Sequence, residues 1–187
     1  LKNVFKTLSY LSFLPMLLKG WYMAATKGVD SALEVYRAAL EKAPGFVLLY
    51  CLLGDIYRAL GRFEDAILEY KMAIMMDSLN ITAYRSLCLV YEEIGDFDSA
   101  IDAYKRLIEI QPNAAEYQSN LANILYLKGE AKEAIGYYQN AISLNPNPKW
   151  TSVIAQTLGY VFQEGEKNTD APISVHICSR LPILIFL

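Results

Sequence analysis

One interval, thirty-four residues, organises most of this chain and leaves it few folds to choose from. Gly61, Gly95 and Gly129 recur at that spacing. In step with them run Ala32, Ala66, Ala100 and Ala134, the aromatics Tyr36, Tyr70, Tyr104 and Tyr138, and Leu53, Leu87 and Leu121. Pro44, Pro112 and Pro146 form a further column, with Ser78 standing in its gap. Several residue types holding one phase over four copies mark a repeat whose units bury surface on their neighbours. With 187 residues, 54% of them hydrophobic, the chain has apolar material for one domain or one short array.

Within a unit, apolar residues recur at three- and four-residue spacing on both sides of a glycine turn, which predicts two helices per repeat. Over 46–60 the set is Leu49, Tyr50, Leu53, Ile56, Tyr57 and Leu60; over 63–76 it is Phe63, Ala66, Ile67, Tyr70, Ala73 and Ile74. Gly61 supplies the left-handed residue that ends the first helix. Small Gly54, Ala66 and Ala73 let two helix backbones approach while Tyr57 and Tyr70 fill the space beside them. Pro112 and Pro146 stop the second helix.

The strings "YCLLGDIYRALGRFEDAILEYKMAI" and "YRSLCLVYEEIGDFDSAIDAYKRLIEIQP" resemble the tetratricopeptide repeat, whose pattern is W-x2-L-G-x2-Y…A-x3-F…P. The leading aromatic is Tyr50 and Tyr84, but Gln118 in the following unit and Met16 in the first. The Leu-Gly pair stands intact as Leu53-Gly54, becomes Leu87-Cys88 and Leu121-Ala122, and is Lys19-Gly20 in the most divergent copy. The expected organisation is a lead-in at 1–12, a divergent repeat at 13–46, repeats at 47–80, 81–114 and 115–148, a partial fifth repeat at 149–171, and an anomalous apolar tail at 172–187. The resemblance implies an all-α, right-handed superhelical solenoid of tandem helix-turn-helix units.

Both ends depart from the pattern. Leu158-Gly159, Phe162, Gly165 and Ala171 echo a fifth unit, but Pro172 then falls inside what should be a helix. Two expectations stand for the tail that follows: a native frame or chain boundary lost near Ala171, or a packed hydrophobic closure. Its run from Leu181 to Leu187 is too short to span a membrane, which takes about 20 apolar residues. At the other end the chain begins with Leu1, as a fragment, a processed form or a product of a non-standard start would. Lys2 and Lys6 before an apolar stretch look superficially like a signal peptide. Gly20, Ala32, Tyr36, Ala39 and Pro44 already keep the repeat phase, however, and place 14–26 in a first-unit helix with Pro15 in its first turn.

Chemistry finds little footing. The single histidine, His176, lies in the tail, so no nucleophile–histidine pair forms within the repeats. Glycines come one per turn rather than clustered as a phosphate loop requires. "GDFDSAID", Gly95–Asp102, lacks the central Gly and terminal Glu of a calcium loop; Asp96 and Asp98 instead suit the positive start of a helix. Cys51, Cys88 and Cys178, odd in number and widely spaced, make neither a disulfide framework nor a zinc site. Cys88 replaces a small packing residue and reads as inert core. Eight of the fourteen tyrosines occupy repeat columns and read as core too: Tyr36, Tyr50, Tyr57, Tyr70, Tyr84, Tyr91, Tyr104 and Tyr138. No enzyme, cofactor or metal is expected. A formal charge of −3 with mixed signs gives no basic stripe for nucleic acid.

The resemblance implies that the first helix of each unit lines a concave groove that holds a peptide or helix of a partner protein. Its candidate residues are Trp21, Leu48, Cys51, Asp55, Arg58, Thr82, Arg85, Leu89, Glu92, Glu116, Ser119, Asn123 and Tyr126. They occupy the helix face that the packing columns leave free, and Trp, Tyr and Arg are common interface anchors. The places where some members carry Lys, Asn and Arg to clamp the acidic C-termini of heat-shock chaperones hold Leu17, Trp21, Leu52, Thr82 and Ser86 in one register. In the next they hold Cys51, Asp55, Ser86, Glu116 and Asn120, so neither register makes the clamp.

The expected role is therefore a non-enzymatic protein–protein interaction scaffold in the cytoplasm, with self-association through uncapped ends as a further expectation. The alternatives are the docking array of a larger enzyme of glycosyltransferase or kinase type, and an envelope-associated factor anchored by the N-terminal apolar segment. Removing 172–187 should leave the helical circular dichroism signal nearly unchanged and reduce aggregation; a large loss of signal would make the tail part of the fold.

Overall fold

A computed structural model of the chain describes residues 2–146, together with Ser152, Ala155 and Gly159; side chains are described from Leu14 onward. The partial fifth repeat apart from those three positions, the apolar tail, His176 and Cys178 lie outside the described residues. Among the described residues up to 146, eight helices run in order: α1 Lys2–Lys27, α2 Val29–Lys42, α3 Val47–Ala59, α4 Phe63–Met76, α5 Ile81–Ile94, α6 Phe97–Ile110, α7 Ala115–Lys128 and α8 Ala131–Leu144. Helices α3, α5 and α7 start thirty-four residues apart. No strand occurs among the described residues. The chain forms two compact units, 1–90 and 91–187, with the division inside α5.

The turns repeat as closely as the helices. Gly61, Gly95 and Gly129 take φ of 71°, 74° and 92°, the left-handed region where a Cβ is penalised. Each glycine N–H bonds the carbonyl three residues back, and the next residue reaches five back: Arg62 to Tyr57, Asp96 to Tyr91 and Glu130 to Leu125, at 2.8–2.9 Å. This is the paired closure that satisfies the last carbonyls of a helix. Helices α2, α6 and α8 end two residues before Pro44, Pro112 and Pro146. Helix α4 ends at the equivalent place before Ser78, so the stop survives without proline. Asp77 closes it by donating its backbone N–H to Ala73, and Asn80 caps α5 by accepting from the Ala83 N–H at 2.9 Å.

One expectation at the N-terminus is corrected. The first helix does not begin near Leu14 but at Lys2, so Pro15 lies in its interior rather than its first turn. A proline there removes one backbone hydrogen bond and costs about 3 kcal/mol. No helix among the described residues is long and apolar enough to cross a membrane.

In unit 1 the hairpins α1/α2 and α3/α4 are held by contacts between a second-helix tyrosine and a first-helix glycine. A Cβ on Gly54 would lie 2.7 Å from Cδ1 and Cζ of Tyr70 and closer still to Cε1; one on Gly20 would lie 2.8 Å from the Tyr36 hydroxyl and closer to its ring. Ala32, Ala39, Ala66 and Ala73 are fully buried, as small residues must be where helix axes come close. The Tyr57 ring, 1% exposed, lies under two guanidinium groups, Arg62 at 4.7 Å and Arg37 at 5.6 Å from its centroid.

In unit 2, α7 and α8 form a hairpin and α6 packs on α7. Ala100, Leu107, Leu121, Ala122, Ala134 and Ala141 are fully buried in it. Asp96 caps α6 by accepting from Ser99 N–H at 3.2 Å. Asp98 pairs with Lys128 of α7 at 2.7 Å, and Lys128 reaches Glu130 at the same distance. Two of the three aspartates in Gly95–Asp102 thus have structural partners. Of the eight column tyrosines, seven are buried and Tyr84 is half-buried. Cys88 is fully buried.

Opposite outcomes are expected for one substitution at two helical glycines. Gly54→Ala should destabilise the protein by about 1–2 kcal/mol, because the clash with Tyr70 outweighs the gain in helix propensity. Gly136→Ala, where a Cβ meets nothing within 4 Å, should stabilise by about 0.5–1 kcal/mol. Urea unfolding of both variants checks the pair; equal shifts would remove the glycine–tyrosine contact as a determinant.

Candidate functional site

The first helices present the candidate surface, and each unit contributes its own part. In unit 1, Trp21 of α1 is 69% exposed, Leu48 of α3 39% and Leu89 of α5 41%. Asp55, Thr82 and Arg85 are exposed with them, and Arg58 is half-buried. Trp21, Asp55 and Leu89 share one repeat phase, so equivalent places on successive first helices carry an aromatic, a carboxylate and an aliphatic group. In unit 2, Glu116 is exposed, while Glu92, Ser119 and Asn123 are half-buried.

Two candidates do not belong to this surface. Cys51 is 3% exposed, packed in a cluster with Tyr50, Ala73 and Ala83. The small side chains of Ala73 and Ala83 let α4 and α5 close over it. Burial, reinforced by Asp55 and Asp77, pushes its thiol up to about 11, which leaves almost no thiolate at neutral pH. Tyr126 is likewise 3% exposed and lies near Tyr138, inside the hairpin rather than on its open side. The free-face pattern misplaces both because helix phase alone does not say how far a neighbouring helix overlaps that face.

A polar feature of the second helices was not visible in the columns. The tyrosine of each second helix points its hydroxyl back to the first helix of its own hairpin. Tyr70 donates to Asp55 Oδ1 at 2.6 Å, Tyr104 to Glu92 Oε1 at 2.6 Å, and Tyr138 to Asn123 Oδ1. Asp55 and Asn123 share a phase; in the hairpin between them that place is Leu89, and Glu92, three residues on, takes over the acceptor role. In the first hairpin the same place is Trp21, and Tyr36 instead donates to the Leu17 backbone carbonyl at 3.3 Å. The acceptors Asp55, Glu92 and Asn123 are therefore committed to the hairpins and hold less of their polarity free for a ligand. Ser86 of α5 lies beside the same phenol, so α3, α4 and α5 meet at Tyr70. Burial drives the Tyr70 and Tyr138 hydroxyls well above the usual phenol range, so they remain donors at any physiological pH. No group of three His, Cys, Asp or Glu among the described residues could hold a metal ion.

The sequence matches three family models described as tetratricopeptide or TPR repeats, over residues 35–68, 54–95 and 88–147. Together they run from residue 35 to residue 147, more than half of the chain. The crystal structure of MamA is 26% identical, with a TM-score of 0.68, and the likeness covers 79% of this chain and 84% of that one. A tetratricopeptide repeat protein from Parabacteroides merdae ATCC 43184 is 21% identical at a TM-score of 0.70, covering 84% of this chain and 64% of that one. YrrB, described as a TPR protein with an unusual peptide-binding site, is 17% identical at a TM-score of 0.65, covering 83% and 79%. No curated protein matches the sequence. These likenesses show the all-α repeat-solenoid fold.

Glu92 gives the surface a pH signature. Burial raises its carboxyl above the ordinary value of 4.5, against the opposing hydrogen bond from Tyr104. Between 4.5 and that raised value the folded protein binds more protons than the unfolded chain, so stability falls as pH rises through the window. Glu92→Gln keeps an oxygen acceptor for Tyr104 and removes the buried charge. The variant should gain on the wild type as pH rises from 4.5 to 7, measured by urea midpoint; a parallel pH dependence of the two would overturn this assignment.

Proposed function

The chain belongs to the tetratricopeptide repeat family, and on that footing we propose that it holds a segment of a partner protein on its first helices. The fold is that of protein-interaction scaffolds, and the finer assignment rests on one observation. Successive first helices of unit 1 carry large apolar side chains that water still reaches: Trp21, Leu48 and Leu89. Exposed anchors of this kind, flanked by Arg85, Asp55 and Thr82, suit a segment with an apolar side chain and a few polar contacts.

The binding surface as corrected omits Cys51 and Tyr126. In unit 1 its anchors are Trp21, Leu48 and Leu89, its polar flank is Thr82 and Arg85, and Arg58 is half-buried at its edge; unit 2 presents Glu116 and Ser119 on a first helix of its own. Asp55, Glu92 and Asn123 serve mainly to fix the helices that present it. YrrB, which shares the fold, supports a peptide as the ligand class. Rigid hairpins reduce the ordering cost of binding on the receptor side, leaving the flexible segment to bear it.

Peptides selected from a displayed random library against the wild-type chain provide the test. A folded Trp21→Ala/Arg85→Ala/Leu89→Ala variant should bind them at least tenfold more weakly. Undiminished binding would move the working surface off the first helices.

A further inference from the structure

The second-helix side of unit 1 carries an open notch of about 380 Å³, lined by Arg37, Leu40 and Glu41 of α2, Leu53 of α3 and Glu69 of α4. Its floor is apolar: Leu53 is fully buried and Leu40 half-buried. Its three charged groups differ in how far they are already engaged. Arg37 directs a terminal nitrogen to the Tyr57 hydroxyl and lies over that ring. Glu69 is half-buried; Arg37 attracts its carboxylate electrostatically, but among the described residues no donor is hydrogen-bonded to it. Asp65, one turn before it, is held by Arg62 at 2.6 Å. Glu41 stands exposed at the rim.

A carboxylate drawn partly out of water without a donor is costly, and burial accordingly lifts the Glu69 carboxyl above its ordinary range. A cation entering the notch would relieve that cost. We propose that the notch seats an arginine side chain of a partner protein, its methylenes along Leu40 and its guanidinium between Glu41 and Glu69.

Three considerations select this occupant. The volume lies at the small end for ligand pockets and suits a single long side chain better than a cofactor. An apolar floor under a charged rim matches a side chain with an aliphatic stem and a charged head. A guanidinium is less strongly hydrated than an ammonium and offers donors in a fixed fork, so it fits a half-buried place between two carboxylates. The charge balance is narrow. Two carboxylates against Arg37 leave the notch with a single net negative charge, so neutralising either glutamate removes the attraction. The site lies on the second helices and is independent of the first-helix surface, so a partner could engage both.

The test is a titration of the isotope-labelled full chain, followed through its backbone amide signals, with a blocked pentapeptide carrying one central arginine. The same peptide with citrulline, equal in shape and uncharged, is the control. The arginine peptide should shift the amides of Leu40, Glu41, Leu53 and Glu69 saturably, and the citrulline peptide should not. Glu41→Gln and Glu69→Gln should each weaken binding at least fivefold, while Trp21→Ala/Arg85→Ala leaves it unchanged. Glu41 is exposed, so its variant retains the fold even if Glu69→Gln perturbs packing. Equal shifts from both peptides, shifts confined to the first helices, or undiminished binding in Glu41→Gln would each overturn the proposal.

Discussion

Everything in a hairpin of this protein follows from how closely a second-helix tyrosine approaches the backbone of the first helix. At Gly54 and Gly20 the ring occupies the space a Cβ would need, so the aromatic body fills the interhelical gap and the hydroxyl reaches the first helix close to that glycine. That geometry obliges the first helix to supply an acceptor, because a buried hydroxyl without one costs about 1–3 kcal/mol. The packing column thereby dictates a polar column. Asp55 and Asn123 fill it directly, Glu92 fills it from one turn further along, and the Leu17 carbonyl serves where Trp21 stands in its place. The requirement is for an oxygen at the end of the phenol, and the chain meets it four ways with four different groups.

Most of the fold was legible because the repeat rests on short-range rules. A left-handed glycine, a proline two residues beyond a helix and a small residue facing an aromatic each leave a mark at a fixed position, and Gly61, Pro112 and Gly54 carry those marks. What remained hidden depends on distances between helices. Cys51 shares a phase with exposed Arg85, yet it is buried because Ala73 and Ala83 allow two helices to close over it. Tyr126 shares a phase with half-buried Glu92 and Arg58 but faces Tyr138. Pro15 carried the signal of a helix start, but the helix runs through it from Lys2. The acceptor switch from position 89 to position 92 was present in the letters, as a leucine where the copies on either side carry Asp55 and Asn123, but only the tyrosine hydroxyls give it meaning.

Gln118 shows the same rules under relaxed conditions. It stands where other copies carry Tyr50 and Tyr84, and is 7% exposed, with its Oε1 lacking a hydrogen-bond partner among the described residues. Tyr50 at the equivalent place donates to the Pro44 carbonyl at 3.0 Å. The shorter glutamine occupies the place of the leading aromatic without reproducing its satisfied polar end. An unsatisfied buried oxygen is a local cost that the stacked neighbours of a repeat array can absorb, since each hairpin draws stability from both sides.

The division between fixed and free positions explains how one architecture can carry binding surfaces on both sides. Packing claims the small and aromatic columns, and the phenols then claim a polar column beside them, so neither set is available for recognition. What is left on the first helices is the exposed row from Trp21 through Leu48 and Arg85 to Leu89. What is left on the second helices includes exposed Glu41 and half-buried Glu69, neither of them held by a hydrogen bond among the described residues. Substitutions at these remaining positions cost the fold little, whereas substitutions at Gly54 or Tyr70 propagate through three helices. Recognition can therefore vary between arrays of this kind while the hairpin stays the same.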